Sequence, residues 1–179
     1  MSSIVNSIIL FVGVLAPVHH SPAPDSLATL VVRGDIQKPG EWTVQTIRQQ
    51  FARQAQAVTF TAGDKQPSVG TGIPLYSLVQ EAAPRIEKAP KHYDLSFFVI
   101  LEARDGYRVF FSLAELIPQC GNAQAWLVWE VDGKPLAEKE APFRLAVLSD
   151  QGHDRYIYAI SAITLVDGTK LANRLAGQQ

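Results

Sequence analysis

The sequence is poor in cysteine. It has one, Cys120, in 179 residues. That excludes an intramolecular disulfide and any zinc or iron–sulfur centre built from several thiolates. Histidine is sparse too. The four, His19, His20, His92 and His153, include no pair at helical ligand spacing, so no dedicated histidine metal site is visible. Excess charge is also missing. Sixteen Lys and Arg against seventeen Asp and Glu leave a formal net charge of −1, which argues against a strongly basic nucleic-acid binder. No apolar run reaches the roughly 20 residues of a transmembrane helix, so no spanning segment is expected.

What is present fits one domain of ordinary size. Hydrophobic residues make up 47% and charged residues 18%, enough for a packed core and unlike a disordered chain. Three Trp, five Tyr and eight Phe supply aromatic surface for that core or for a pocket.

No Lys or Arg precedes Arg33, and Ile8 to Ala16 is a compact apolar run with the length of a signal-peptide core. Small residues follow at Ala16, Ser21 and Ala23, interleaved with Pro17, Pro22 and Pro24. The expectation is a signal peptide and Pro-rich linker over 1–27, a domain over 28–168 and a tail over 169–179, frayed or weakly helical. The protein is then periplasmic or secreted. The n-region lacks a positive side chain, and Pro directly follows Ala16 and Ala23. An N-terminal strand is the competing reading of the same residues.

Within the domain, Leu30-Val31-Val32 reads as a strand, and Thr43 as the N-cap of a helix using Val44, Ile47 and Phe51. Ala57 to Phe60 reads as a buried strand. Three Gly and a Pro mark Ala62 to Gly72 as a loop. Pro74 suits the start of a short helix using Leu75, Leu78 and Val79. Leu95 to Ala103 is a strongly apolar strand, and Asp105-Gly106 turns it into the alternating Tyr107, Val109 and Phe111. Ser112 and Glu115 form a capping box for a helix that Pro118 ends. Ala125 to Val131, Phe143 to Leu148 and Ile157 to Leu165 complete the strands, with a second turn at Asp132-Gly133. Strands and three short helices do not alternate regularly, so the fold class is α+β rather than doubly wound α/β.

Four blocks in order carry a family resemblance. They are Leu30-Val31-Val32-Arg33-Gly34 with Trp42-Thr43; Val58 to Asp64 with Gly72-Ile73-Pro74-Leu75; Asp105-Gly106-Tyr107 through Ser112-Leu113; and Trp129 to Leu136 with Pro142-Phe143-Arg144-Leu145. Over most of 30–165 the chain resembles the molybdopterin-binding domain of the sulfite oxidase family. The resemblance implies that family's strand-rich fold of stacked mixed sheets with short helices. It also implies a molybdopterin cofactor, whose molybdenum is bound by a Cys thiolate at the end of the second-block strand. Soft thiolate suits a metal that cycles by two electrons in oxo transfer. The candidate cofactor-binding positions on this chain are Thr61, Ala62, Gly63, Asp64, Tyr107 and Arg144.

The departures all remove cofactor-binding groups. The family's Cys falls on Thr61, or on Ala62 if the loop shifts by one. The family's Asn falls on Asp64. Its Val-Lys-Trp stretch reads Ile157-Tyr158-Ala159 here, and its upstream Arg-Asn-His segment has no counterpart before Leu30. Cys120-Gly121-Asn122 looks like the cofactor motif but follows the third block, out of order. Free Cys residues are more often packed hydrophobes. Tyr107 alternatively closes the hairpin as an apolar residue, Arg144 is alternatively a strand-edge charge, and His92 and His153 sit in polar contexts that suit solvated His. Trp126 and Trp129 are three apart on one strand, so one faces the core and the other a groove or partner surface. No catalytic residue is assigned. The expected function is a ligand-binding or accessory module taking a small-molecule ligand or an exported partner protein, without a protein-ligated metal. The alternative is a molybdopterin-dependent oxidoreductase carrying out two-electron oxo-transfer chemistry.

Overall fold

The structure is a computed structural model and describes residues 29–61, 66–86, 92–152 and 154–177. The first 28 residues, and with them the expected signal segment, lie outside the described residues, as do Ala62, Gly63, Asp64 and His153.

Among the described residues, ten strands form two sheets that share one core. The first sheet contains β1 (Thr29–Gly34), β2 (Gly40–Thr43), β5 (Phe97–Ala103), β6 (Arg108–Ser112) and β10 (Ile160–Asp167), in the order β2-β1-β10-β5-β6. β1 runs parallel to β10 and the other pairs are antiparallel. The second sheet runs β3 (Gln56–Thr61), β4 (Pro67–Pro74), β7 (Ala125–Val131) and β8 (Lys134–Pro135). There β9 (Arg144–Val147) joins β8 in pairing with β7. Four helices accompany them: α1 (Val44–Gln50), α2 (Leu75–Ala82), α3 (Leu113–Leu116) and α4 (Gly168–Ala176), with a 3-10 turn at Tyr93–Ser96. The mixed sheets and separate short helices are the α+β class expected from the order of elements.

Local chemistry explains most boundaries. Thr43 caps α1, and Ser112 and Glu115 bond reciprocally at the start of α3, so two N–H groups that the helix leaves open are satisfied at each end. The turns at Gly106 (φ 87°) and at Asp132-Gly133 (φ 50° and 72°) use the left-handed backbone that tight hairpins demand. In β5, Phe97, Val99, Leu101 and Ala103 are buried and the intervening residues face outward, the period of two that fixes which face meets the core. β7 departs from that pattern because both its faces are covered. Leu127 and Trp129 join the main core, while Val128 packs with Val58, Phe60 and Ala146 in a second small cluster. Leu148 and Tyr156 pack against this second cluster. Trp129 is thus the core member of the Trp pair, and Trp126 is half-buried.

Three expectations need correction. The Gly- and Pro-rich stretch expected as a loop to Gly72 is β4 from Pro67 onward. Its glycines serve close approach rather than turning: a Cβ on Gly72 would lie 2.4 Å from the Leu127 carbonyl oxygen, and one on Gly70 would lie 2.6 Å from the Phe60 ring. The last strand starts at Ile160, not Ile157. Residues 169–176 belong to a regular helix, which makes four among the described residues rather than three. The Asp167 carboxylate caps it by accepting from the N–H groups of Thr169 and Lys170.

Candidate functional site

The last strand begins late because residues 157–160 are held between other segments. Leu145 N donates to Ile157 O at 2.8 Å, Ala159 N to Glu140 O at 2.9 Å, Arg104 N to Ala159 O at 3.0 Å and Ile160 N to Phe143 O at 2.9 Å. Ala159 adopts φ 51° there, a left-handed conformation that non-glycine residues hold only when surroundings enforce it.

This crossing brings the β5–β6 turn, the 137–141 segment and Tyr156–Ala159 around a cavity of about 730 Å³, the size of a small-molecule site. Arg104 and Lys139, Asp105 and Glu140, and the three tyrosines Tyr107, Tyr156 and Tyr158 supply its polar and aromatic groups. The Arg104 guanidinium donates to the carbonyls of Glu138 (2.8 Å) and Ala141, pinning one wall. Tyr107 is half-exposed. Its N–H donates to Asp105 Oδ1 and its hydroxyl to the Asp154 carbonyl, both at 2.9 Å. It therefore links hairpin to neighbouring segment and does not pack as an apolar hairpin residue. The Lys139 side chain is exposed and makes no hydrogen bond or ion pair among the described residues.

Arg144 stands beside this cavity, in contact with its lining residues Glu140 and Tyr158. It is not a strand-edge charge, because its side chain is only 6% exposed. β9 pairs with β7 so that Leu145 and Val147 enter the main core and Arg144 and Ala146 point to the opposite face. There the guanidinium carbon lies 4.8 Å from the Phe60 ring centre and 4.6 Å from that of Tyr158, a double cation–π contact. One Nη donates to the Tyr158 hydroxyl at 3.3 Å, and the other sits 3.7 Å from a Glu140 carboxylate oxygen. Nε is buried with no partner, an uncommon state for a charged donor. Tyr156 meets Phe60 edge-on at 6.0 Å, and burial pushes its hydroxyl pKa up.

Of the residues singled out in the sequence, Tyr107 and Arg144 therefore meet around one cavity through Tyr158 and Glu140. Thr61 ends β3 and follows Phe60, but successive strand residues face opposite ways, and Thr61 does not line the cavity. Arg104, Lys139 and Glu140 carry no motif, and Tyr158 stands out in the sequence only as the residue in place of a lysine. The other signals are that Arg104 precedes an Asp-Gly turn and Glu140 lies four residues before Arg144. Cys120 is exposed in the turn after α3, where its N–H donates to Ile117 O. It is not a packed hydrophobe, nor does it line the cavity. His92 is exposed with φ 65°.

The lining thus contains no sulfur, and among the described residues no group of three His, Cys, Asp or Glu is placed to hold a metal. This donor set does not fit a thiolate-ligated molybdenum, which needs a soft anionic sulfur from the protein. Also among the described residues, no helix is long and apolar enough to cross a membrane.

No family model matches the chain, and no curated protein matches it. Among solved structures it is similar to the sulfane dehydrogenase SoxCD from Paracoccus pantotrophus, with a TM-score of 0.56 and 14% sequence identity. The match covers 82% of this chain and 40% of that one. At that identity the likeness is one of fold, and the chain spans well under half the length of the dehydrogenase chain.

Proposed function

We propose that this protein is an exported ligand-binding or accessory module built on a sulfite oxidase-type molybdopterin-binding fold, using the Arg104–Tyr107–Lys139 cavity in place of a Cys-ligated metal. One observation carries the reading. The cavity places two cations, two carboxylates and three phenols on its lining, with no thiolate among them. Groups of this kind orient a small polar ligand by hydrogen bonds and charge, with tyrosine rings as flat walls. The fold likeness to a sulfane dehydrogenase supports the scaffold and says nothing of this chain's own chemistry, since function resides in the site.

The test uses the full chain from a host that makes molybdopterin. Molybdenum per chain and the fluorescence of oxidised pterin are measured together. Absence of both is expected. Near one molybdenum per chain overturns the proposal in favour of a molybdopterin-dependent oxidoreductase. A Cys120→Ser variant then decides whether that metal depends on the chain's thiol.

A further inference from the structure

A second cavity lies away from the first, between the start of α2, the turn after α3 and the start of β7. It measures about 380 Å³. None of the residues lining it carries a charge, in contrast to the Arg104–Lys139 cavity. Its polar groups are the Ser77 hydroxyl and four carboxamides, on Gln80, Gln119, Asn122 and Gln124, with the rings of Tyr76 and Trp126 beside the carboxamides. The four carboxamide residues are exposed and the two aromatic residues half-buried, and no side chain of these six has a hydrogen-bond partner within the described residues. A set of hydrogen-bonding groups that converges on one hollow and bonds nothing in its own chain is open to a ligand.

The backbone supports the same reading. Asn122 and Gln124 both have positive φ, at 47° and 46°. Asn tolerates that region through its short polar side chain, but Gln does not share this advantage. The conformation is imposed by the residues around it. Ala123 is buried, its N–H donates to Glu115 O at 2.8 Å, and its carbonyl accepts from Ser149 Oγ at 2.6 Å. The Gln124 carbonyl accepts from Leu148 N at 3.1 Å. Anchoring residue 123 inward sets the carboxamides on both sides of it onto one cavity wall. Strained backbone of this kind accumulates at binding sites.

We infer that this cavity is a binding site for an uncharged saccharide. A carboxamide offers a donor and an acceptor side by side, which matches the hydroxyl groups of a sugar, each both donor and acceptor. A Trp and a Tyr offer flat apolar faces with a polar tip, which match the C–H face of a pyranose ring. Charge is absent on both sides, so nothing is desolvated unpaired. A polyproline segment would also stack on aromatic rings, but it presents carbonyl acceptors alone and would leave the amide oxygens unused.

The test is an NMR titration of the isotope-labelled full chain with maltotriose, cellotriose and triacetylchitotriose. At least one of them should give saturable shifts at the Trp126 indole N–H and at backbone amides from Gln119 to Ala125, unchanged between low and high salt. Trp126→Ala should weaken that binding about tenfold, the scale of one aromatic contact. Gln124→Ala, which removes an exposed side chain and leaves the half-buried Trp in place, should also weaken it. The inference is overturned by any of three results: no shift with the three sugars, shifts with a polyproline peptide alone, or binding that neither variant alters.

Discussion

Arg144 offers the sharpest test of how this fold balances stability against a site. Consider Arg144→Met beside Arg144→Ala. In the native protein the guanidinium gains two ring contacts worth about 0.5–2 kcal/mol each and a hydrogen bond to the Tyr158 hydroxyl, worth about 1.5–3 kcal/mol because its donor is charged. Against these stand several kcal/mol for removing a cation from water and about 1–3 kcal/mol for a buried donor without a partner, here Nε. Glu140, 3.7 Å away, offsets little of this. The sums nearly cancel. Methionine keeps the apolar stem in its place near Phe60 and discards both the charge and its desolvation. Arg144→Met should therefore change the unfolding free energy by less than about 1 kcal/mol, or about 2–4 °C in Tm for a domain of this size. Arg144→Ala leaves a void and should cost about 2–4 kcal/mol. Urea unfolding of both variants, read by tryptophan fluorescence, separates the two effects. If methionine proves as damaging as alanine, the charge itself holds the fold together. The near-cancellation of its desolvation cost by its ring contacts and hydrogen bond would then be wrong.

Other expectations follow from single contacts. The Asp35 carboxylate accepts from Asp167 N at 2.9 Å and faces Lys170 at 3.4 Å; these interactions, the backbone hydrogen bond first, hold its pKa below the ordinary 3.8. Because the folded value is depressed, its contribution to stability is complete above the unfolded pKa and disappears as pH falls through the folded one. Urea midpoints measured through the acid range should thus fall less steeply in Asp35→Asn, and identical slopes would refute this. Gly72→Ala drives a Cβ into the Leu127 carbonyl and should cost about 1–3 kcal/mol, seen as a lower Tm; an unchanged Tm would mean that β4 and β7 separate freely. Export predicts a mature chain starting between Pro17 and Ala28 by mass spectrometry, whereas Met1 or Ser2 intact on protein from the cytoplasm would count against it.

Features set by neighbours in sequence were legible without coordinates. The Thr43 and Ser112 caps are examples, since each reaches only three residues ahead. So are the two Asp-Gly turns and the apolar alternation of β5. β4 was hidden because glycine carries two meanings. Gly70 and Gly72 look like turn residues until the Phe60 ring and the Leu127 carbonyl are seen where their side chains would be. Of the candidate site, Tyr107 and Arg144 were found from a motif likeness, but their surroundings were not. Lys139 belongs to no motif, Tyr158 was seen only as the replacement of a lysine, and only the crossing at 157–160 brings them together. Of the four carboxamides of the second cavity, Asn122 was noticed only within the motif-like Cys120-Gly121-Asn122, and the other three were silent, since the set comes from α2 and from the turn region between α3 and β7.

The sequence alone determined that one cysteine excludes disulfides and thiolate clusters, that the charge is balanced, and that strands and short helices make an α+β domain. These are statements about composition and short-range patterning, which act within a few residues along the chain. Tertiary structure decided what Arg144 is. A cation four residues from Glu140 reads as a surface charge until β9 pairs with β7 and turns that side chain onto the outer face of the second sheet. There Phe60 and Tyr158 enclose it. Which groups share a cavity depends on strand register and on crossings between distant segments. Those are set by the packing of the whole core, and no local pattern encodes them.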